Sequence, residues 1–468
     1  MDNKLTKRQW KVPHTYVIIM AFVIFMAIMT YVIPAGEYGT YMDEVTEREL
    51  VDPQSFTYVE NQPVSLMQVL TSITAGMQGV ADVIFFVFII GGSMEILYAT
   101  GAIHRGVDSV AKNKLMGRWF IPIFAFIFAL GGATFGVSDE IVIFAPLGVA
   151  LAHAMGYDAI TGLATIALGA AVGFNAGFMN PFSTSIAQSI AQLPIFSGIE
   201  LRLIVFVVLF VVTVGYIMRY AKKIKNNPEL SIVRDCLCET DRRDLSVETL
   251  EGAGGRDKLI LLVLCGGILI MVYGVFNWDW YIDEMAGVFV AIGIISGFIG
   301  RMGPSRMAEA FVEGSKSLAF GALVTGFAKA ILIIMEDGMI LDSIIHGLGN
   351  AVMALPTAIA ALGMYAIQIV INFFIPSSTG QAATVMPIMI PLADIVGVTR
   401  QTAVLAFQFG DGFSNSIIPT SSVLMTYLAA ARIPYEKWVK FIWPLMLIWI
   451  GIGAIFLMVA TAINYGPF

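Results

Sequence analysis

Long apolar runs separated by short polar stretches set the pattern of this chain. Residues 16–33, 81–99, 201–220, 259–276, 285–300, 318–335 and 438–463 are each apolar for close to the ~20 residues a helix needs to cross a bilayer. Residues 64–78 read as a short amphipathic lead-in to the second run. Elsewhere apolar sequence is interrupted by polar islands. One is Gly131-Gly132-Ala133-Thr134-Phe135-Gly136-Val137-Ser138-Asp139-Glu140, and another is the Gly, Asn and Pro-bearing stretch 175–185. A third is Ile375-Pro376-Ser377-Ser378-Thr379-Gly380-Gln381. The fourth runs from Gly410-Asp411-Gly412-Phe413-Ser414-Asn415 through Pro419-Thr420-Ser421. Within a membrane, non-helical backbone is tolerated only where protein buries it or where it lines a cavity. The islands therefore predict two re-entrant hairpins, 119–155 and 356–396, and two broken helices, 159–190 and 399–431.

Basic residues orient these elements. Lys4, Lys7, Arg8 and Lys11 precede the first run, and the positive-inside rule puts them in the cytoplasm. Residues 35–63 are acidic and belong outside. His104, Arg105, Lys112, Lys114 and Arg118, then Lys222, Lys223 and Lys225, then Arg301 and Arg306, and finally Arg432, Lys437 and Lys440 all fall inside. The predicted organisation is a cytoplasmic N-terminus (1–15), a first membrane half (16–221), a charged cytoplasmic linker (222–258) and a second membrane half (259–463). About nine spans plus the two hairpins leave the C-terminus outside. Two full spans in place of either hairpin would give the same topology.

Composition agrees with an all-α polytopic membrane protein: of 468 residues 57% are hydrophobic and only 13% charged, against roughly 25% charged in a soluble domain. No basic stripe favours nucleic acid. Cys236 and Cys238 lie in the linker without neighbouring ligands, and Cys265 lies in an apolar run, so a metal centre is not indicated. His14, His104, His153 and His346 are scattered, and no hydrolase or zinc-protease motif occurs, which argues against an enzyme. A channel would need a continuous polar pore, for which paired hairpins are unsuited.

The two halves repeat. Phe135–Ser138 aligns with Phe374–Ser377, Gly173-Phe174 with Gly412-Phe413, and Asn180-Pro181 with Ile418-Pro419 after a one-residue slip. An odd number of spans separates the units, so they run in opposite directions. This is the inverted repeat on which secondary transporters build a midplane site. Candidate binding residues are those of the islands: Ser138, Asp139, Glu140, Asn175, Asn180, Ser183 and Thr184 in the first half. In the second they are Ser377, Ser378, Thr379, Gly380, Asp411, Ser414, Asn415, Thr420 and Ser421. Exposed carbonyls and hydroxyls there suit Na⁺, and half-helix N-termini suit anionic groups. The alternative is that each hydroxyl caps its own helix. Asp411 sits between Gly410 and Gly412, which predicts an unwound backbone and a carboxylate hydrated in a cavity. Glu95 and Lys329 occupy equivalent positions in the two repeats, with Gly92 matching Gly326. They read as an intramembrane ion pair or as two residues near the interface.

Ser138-Asp139-Glu140, Asn180-Pro181-Phe182, Pro376-Ser377-Ser378-Thr379-Gly380-Gln381-Ala382-Ala383 with Met386-Pro387, and Gly410–Asn415 with Pro419-Thr420-Ser421 together resemble the C4-dicarboxylate anaerobic carrier-like family. Within it they are most similar to the YfcC-like branch, which is associated by label with basic amino acid antiport. The resemblance covers nearly the whole chain. It implies a bacterial inner-membrane carrier with a scaffold part and a moving part, working as a homodimer in the lipid bilayer. Na⁺ or H⁺ would be the coupling ion, with no other cofactor. The solute would be small and charged, a basic amino acid slightly ahead of a C4-dicarboxylate, with symport and antiport both open. Asp139 stands where the family commonly has Glu, which shortens that carboxylate's reach.

Overall fold

The computed structural model describes residues 15–466 apart from 44–47, 53, 104, 106–113, 137, 139–140, 181–182, 237–253, 279 and 281. Among the described residues six helices are long and apolar enough to cross a bilayer: Ala81–Thr100, Ala159–Ala176, Ile199–Asn226, Ile282–Ile299, Ser378–Val396 and Tyr435–Ala462. This is a multi-pass membrane protein.

One group of helices packs mutually. It comprises α1 (Thr15–Met29), α2 (Leu66–Gly79), α3 (Ala81–Thr100), α9 (Gly255–Asn277), α10 (Ile282–Ile299) and α11 (Pro304–Asp337). Its centre is the crossing of α3 with α11, made close by small residues. A Cβ on Gly91 or on Gly314 would collide with the other helix, and one on Gly326 would meet Met77. The amphipathic α2 opens with a capping box in which Ser65 and Gln68 satisfy each other's backbone, as such a start requires.

A second group lays down one order of elements twice. First come α4 (Lys114–Phe135), α5 (Ile141–Ala154), α6 (Ala159–Ala176), α7 (Thr184–Ile190) and α8 (Ile199–Asn226). Then, after the amphipathic α12 (Leu341–Met353), come α13 (Thr357–Phe374), α14 (Ser378–Val396), α15 (Arg400–Asn415), α16 (Ser422–Ala430) and α17 (Tyr435–Ala462). The two series run oppositely. The α6 helix starts at the linker, where its N-cap Asp158 accepts from Tyr220 and Ser231. The α15 helix starts at the other end, where Gln401 meets Gln188 of α7. Their C-terminal ends meet at Gly412 and Asn175.

Antiparallel ribbons pair β1 (Gly36–Glu37) with β4 (Thr57–Tyr58) and β2 (Thr40–Asp43) with β3 (Arg48–Val51). They rest on α12 and α14. The Tyr38 N–H donates to Asp342 at 3.0 Å, its hydroxyl lies 3.0 Å from His346 Nδ1, and Phe56 stacks on the His346 ring.

Candidate functional site

The site grows out of the break after α15. That helix is Gly-containing yet continuous to Asn415, so the glycines do not unwind it. They allow close approach: a Cβ on Gly410 would stand 2.3 Å from Gln368 Cβ, and one on Gly412 would stand 2.3 Å from Asn175 Oδ1. Asp411, between them, is therefore fully buried. The expected cavity-hydrated carboxylate is corrected to one held by protein dipoles.

Those dipoles come from three segments. Ser378, the first residue of α14, donates its hydroxyl to Asp411 Oδ2. Asn415, one turn on, donates to Oδ1 at 3.0 Å. Asn372, in the last turn of α13, places Nδ2 2.8 Å from Ser414 Oγ, 2.9 Å from Asn415 Oδ1 and 3.0 Å from the Asp411 carbonyl. The Asn372 Oδ1 atom is buried with no hydrogen-bond partner in the structure. The start of α14 and the break after α15 are thus knotted at one carboxylate, in surroundings where an unpaired charge is costly.

The first half meets this knot from the other side. α6 ends at Gly177, whose φ of 52° turns the chain in the left-handed region. Gln408 of α15 donates to the freed Phe174 carbonyl at 2.6 Å and accepts from Thr184 at 2.9 Å. One side chain thus satisfies a carbonyl at the end of α6 and a hydroxyl at the start of α7. Asn175 is buried with both amide atoms unpaired, and the hydroxyls of Ser183 and Thr420 are likewise buried without a hydrogen bond. Asn180 is buried, and its Oδ1 accepts from the Ser183 N–H.

The remaining predicted residues divide. Ser377 is exposed and accepts from the Gly380 N–H, and Ser421 accepts from the Leu424 N–H; both cap their own helices. Thr379, Gly380 and Ser138 are half-buried at the tips. Asp139 and Glu140 lie outside the described residues. Glu95 does form an ion pair, but with Arg432 at 3.1 Å and not with Lys329. The physical reason is that α3 and α11 cross antiparallel, with Glu95 beside Gly314 and Lys329 beside Gly79, toward opposite ends of the crossing.

Sequence reasoning missed Asn372 and Gln408 as site residues. The available signal was polar side chains recurring on one face of an apolar helix, Gln368 with Asn372 on α13 and Gln401 with Gln408 on α15. At the break after α15, Tyr435 donates to the Ile417 carbonyl at 2.7 Å and Trp438 to the Ser416 carbonyl at 2.9 Å.

A family model described as C4-dicarboxylate anaerobic carrier (DcuC) matches residues 12–462. Over 484 residues the chain is 36% identical to an Escherichia coli (strain K12) protein named "Putative basic amino acid antiporter YfcC", with 94% of each chain covered. It is 30% identical over 508 residues to an uncharacterised protein of Haemophilus influenzae, with 99% of each covered. Among solved structures it is similar to the Alcanivorax borkumensis YdaH transporter (17% identity, TM-score 0.40, 97% of this chain and 100% of that one). It is also similar to Neisseria gonorrhoeae MtrF, of a class of antimetabolite efflux pumps (15% identity, TM-score 0.41, 96% and 95%).

Proposed function

The chain belongs to the C4-dicarboxylate anaerobic carrier family, and on that footing we propose that it is an ion-coupled secondary carrier of a small charged organic solute in the bacterial inner membrane. Asp411 is the coupling group. The observation that carries this reading is a fully buried carboxylate fixed by the start of α14 on one side and the break after α15 on the other. In a low-dielectric interior such a group stays occupied by a cation or a proton. Oxygens suited to Na⁺ surround it: Asp411 itself, Ser378 Oγ, Asn415 Oδ1 and the unpartnered Asn372 Oδ1. Loading or emptying this group changes whether tip and break hold together, which couples the ion to movement of the solute.

A basic amino acid is the favoured solute, because the one charged side chain in the knot is negative and no buried cation stands beside it among the described residues. A C4-dicarboxylate is the second reading, favoured by the family's description. It would enter after cations have bound.

Uptake into proteoliposomes under imposed Na⁺ or proton gradients tests both. Asp411→Asn should insert and express normally yet abolish gradient-driven uptake. Ser378→Ala, which removes one charge-assisted hydrogen bond, should lower it about tenfold. Counterflow with arginine or lysine against counterflow with fumarate or succinate separates the solute classes. Wild-type uptake by Asp411→Asn would make this carboxylate structural.

A further inference from the structure

The end of α16 and the end of α7 are the same device. Each helix closes on an alanine, then a residue at positive φ, then an aliphatic residue and a proline: Ala431-Arg432-Ile433-Pro434 and Ala191-Gln192-Leu193-Pro194. Arg432 has φ 56° and Gln192 φ 57°. The closing bonds match too: Arg432 N–H to the Ala429 carbonyl and Ile433 N–H to that of Leu428, against Gln192 N–H to Ser189 and Leu193 N–H to Gln188. These are the helix-terminating turns in which a left-handed residue satisfies the last carbonyls. Arg432 and Gln192 are therefore equivalent positions of the inverted repeat, as Glu95 and Lys329 are on the helices of the other group.

Their surroundings differ. The α16 helix packs against α11 and α3, and its terminal Arg432 pairs with Glu95. The α7 helix packs on α14 and α15 of its own group. Gln192 is exposed, accepting from Arg400 at 3.1 Å. Lys329 is half-buried beside Gly79, and among the described residues its charge acts on Glu336 of its own helix and not on an acid of the α7 or α16 ends. One repeat is docked on the central pair of helices and the other is not.

In an inverted-repeat carrier one repeat moves against the other around a fixed site, and the pseudo-symmetry supplies a second state in which the two have exchanged conformations. We propose that Glu95–Arg432 is a latch of the present state and that its counterpart in the opposite state is Lys329–Gln192. This rests on the carrier reading. In the exchange Arg432 leaves Glu95, α7 takes up against the central pair the place α16 now holds, and Lys329 donates to the Gln192 side-chain oxygen. The latch is an ion pair in one state and an ammonium–amide hydrogen bond in the other. The present state is consequently the more strongly held of the two in the absence of solute.

Cysteine pairs read this directly in membranes, in a chain whose Cys236, Cys238 and Cys265 are replaced by serine. Because long side chains separate the backbones, a short bis-maleimide is the probe and peptide mass spectrometry the readout. The 95/432 pair and the 192/329 pair should both link, and linking the first should prevent linking of the second in a four-cysteine chain. Arg432→Ala added to the 192/329 pair should raise its yield several-fold. A 192/329 yield no higher than that of the mismatched pair 95/192, in protein that remains monodisperse in detergent, would overturn the exchange. So would failure of 95/432 to link. Loss of the Asp411 effect on transport with both pairs still exchanging would sink the coupling reading and leave the latch standing.

Discussion

Gly412 and Gly380 stand at the two sides of the Asp411 knot and bear opposite burdens. A Cβ at Gly412 would press on Asn175 Oδ1 at 2.3 Å and on its Cα at 3.3 Å, whereas one at Gly380 first meets Ser377 Oγ at 3.4 Å. Gly412→Ala must therefore part α6 from α15, costing about 1–3 kcal/mol as overpacking does, and Gly380→Ala should be close to neutral. Thermal unfolding of the two variants in detergent checks this, and equal midpoints would remove the close-approach argument. The Gly-Asp-Gly triplet was plain in the sequence, but its purpose was not. A glycine needed for an unusual backbone angle and one needed to let two helices touch look alike until the neighbour is placed. The same holds for hydroxyls. Ser378 reaches across to Asp411 while Ser377 turns back on its own helix, and nothing in Ser-Ser distinguishes them.

Among whole elements, the broken helices were legible because Gly, Pro and Asn interrupt otherwise apolar runs, and α2 was legible from its amphipathic spacing. The α12 helix was not. Its apolar positions Leu341, Ile344, Ile345, Leu348 and Val352 follow helical spacing, but a search for bilayer-length runs passes over thirteen residues. This element carries the β-ribbons. Burial pushes the Asp342 carboxyl up from its ordinary value, against the Tyr38 N–H, which favours the charge, and with Glu37 adding to the rise. The folded state then holds this proton more tightly than the unfolded chain does. The contribution of Asp342 to ribbon docking is complete below the ordinary carboxylate range and is lost as pH rises through the raised value. Protease protection of residues 36–58 should fall across that interval, and Asp342→Asn, which cannot ionise, should flatten the dependence. An unchanged slope in Asp342→Asn would assign it to another group.

At the scale of the molecule, the repeat was visible because its punctuation recurs in order. Its partition into two packed groups was not, since that depends on which faces meet. Hairpin and double span also stay alike in sequence. The limbs α13 and α14 have 18 and 19 residues, about 27–29 Å at helical rise, long enough for either. Orientation is open to test: single cysteines at Glu60 or Asn277 should react with an impermeant thiol reagent outside intact cells, and one at Arg243 in the linker should not. Reaction at position 243 would reverse the assignment.

The shared amide of Gln408 bears on how the break after α6 moves. Because one side chain of α15 holds both the end of α6 and the start of α7, that break cannot widen without giving up hydrogen bonds to a helix of the other series. A displacement on one side of the molecule is thereby felt at once on the other.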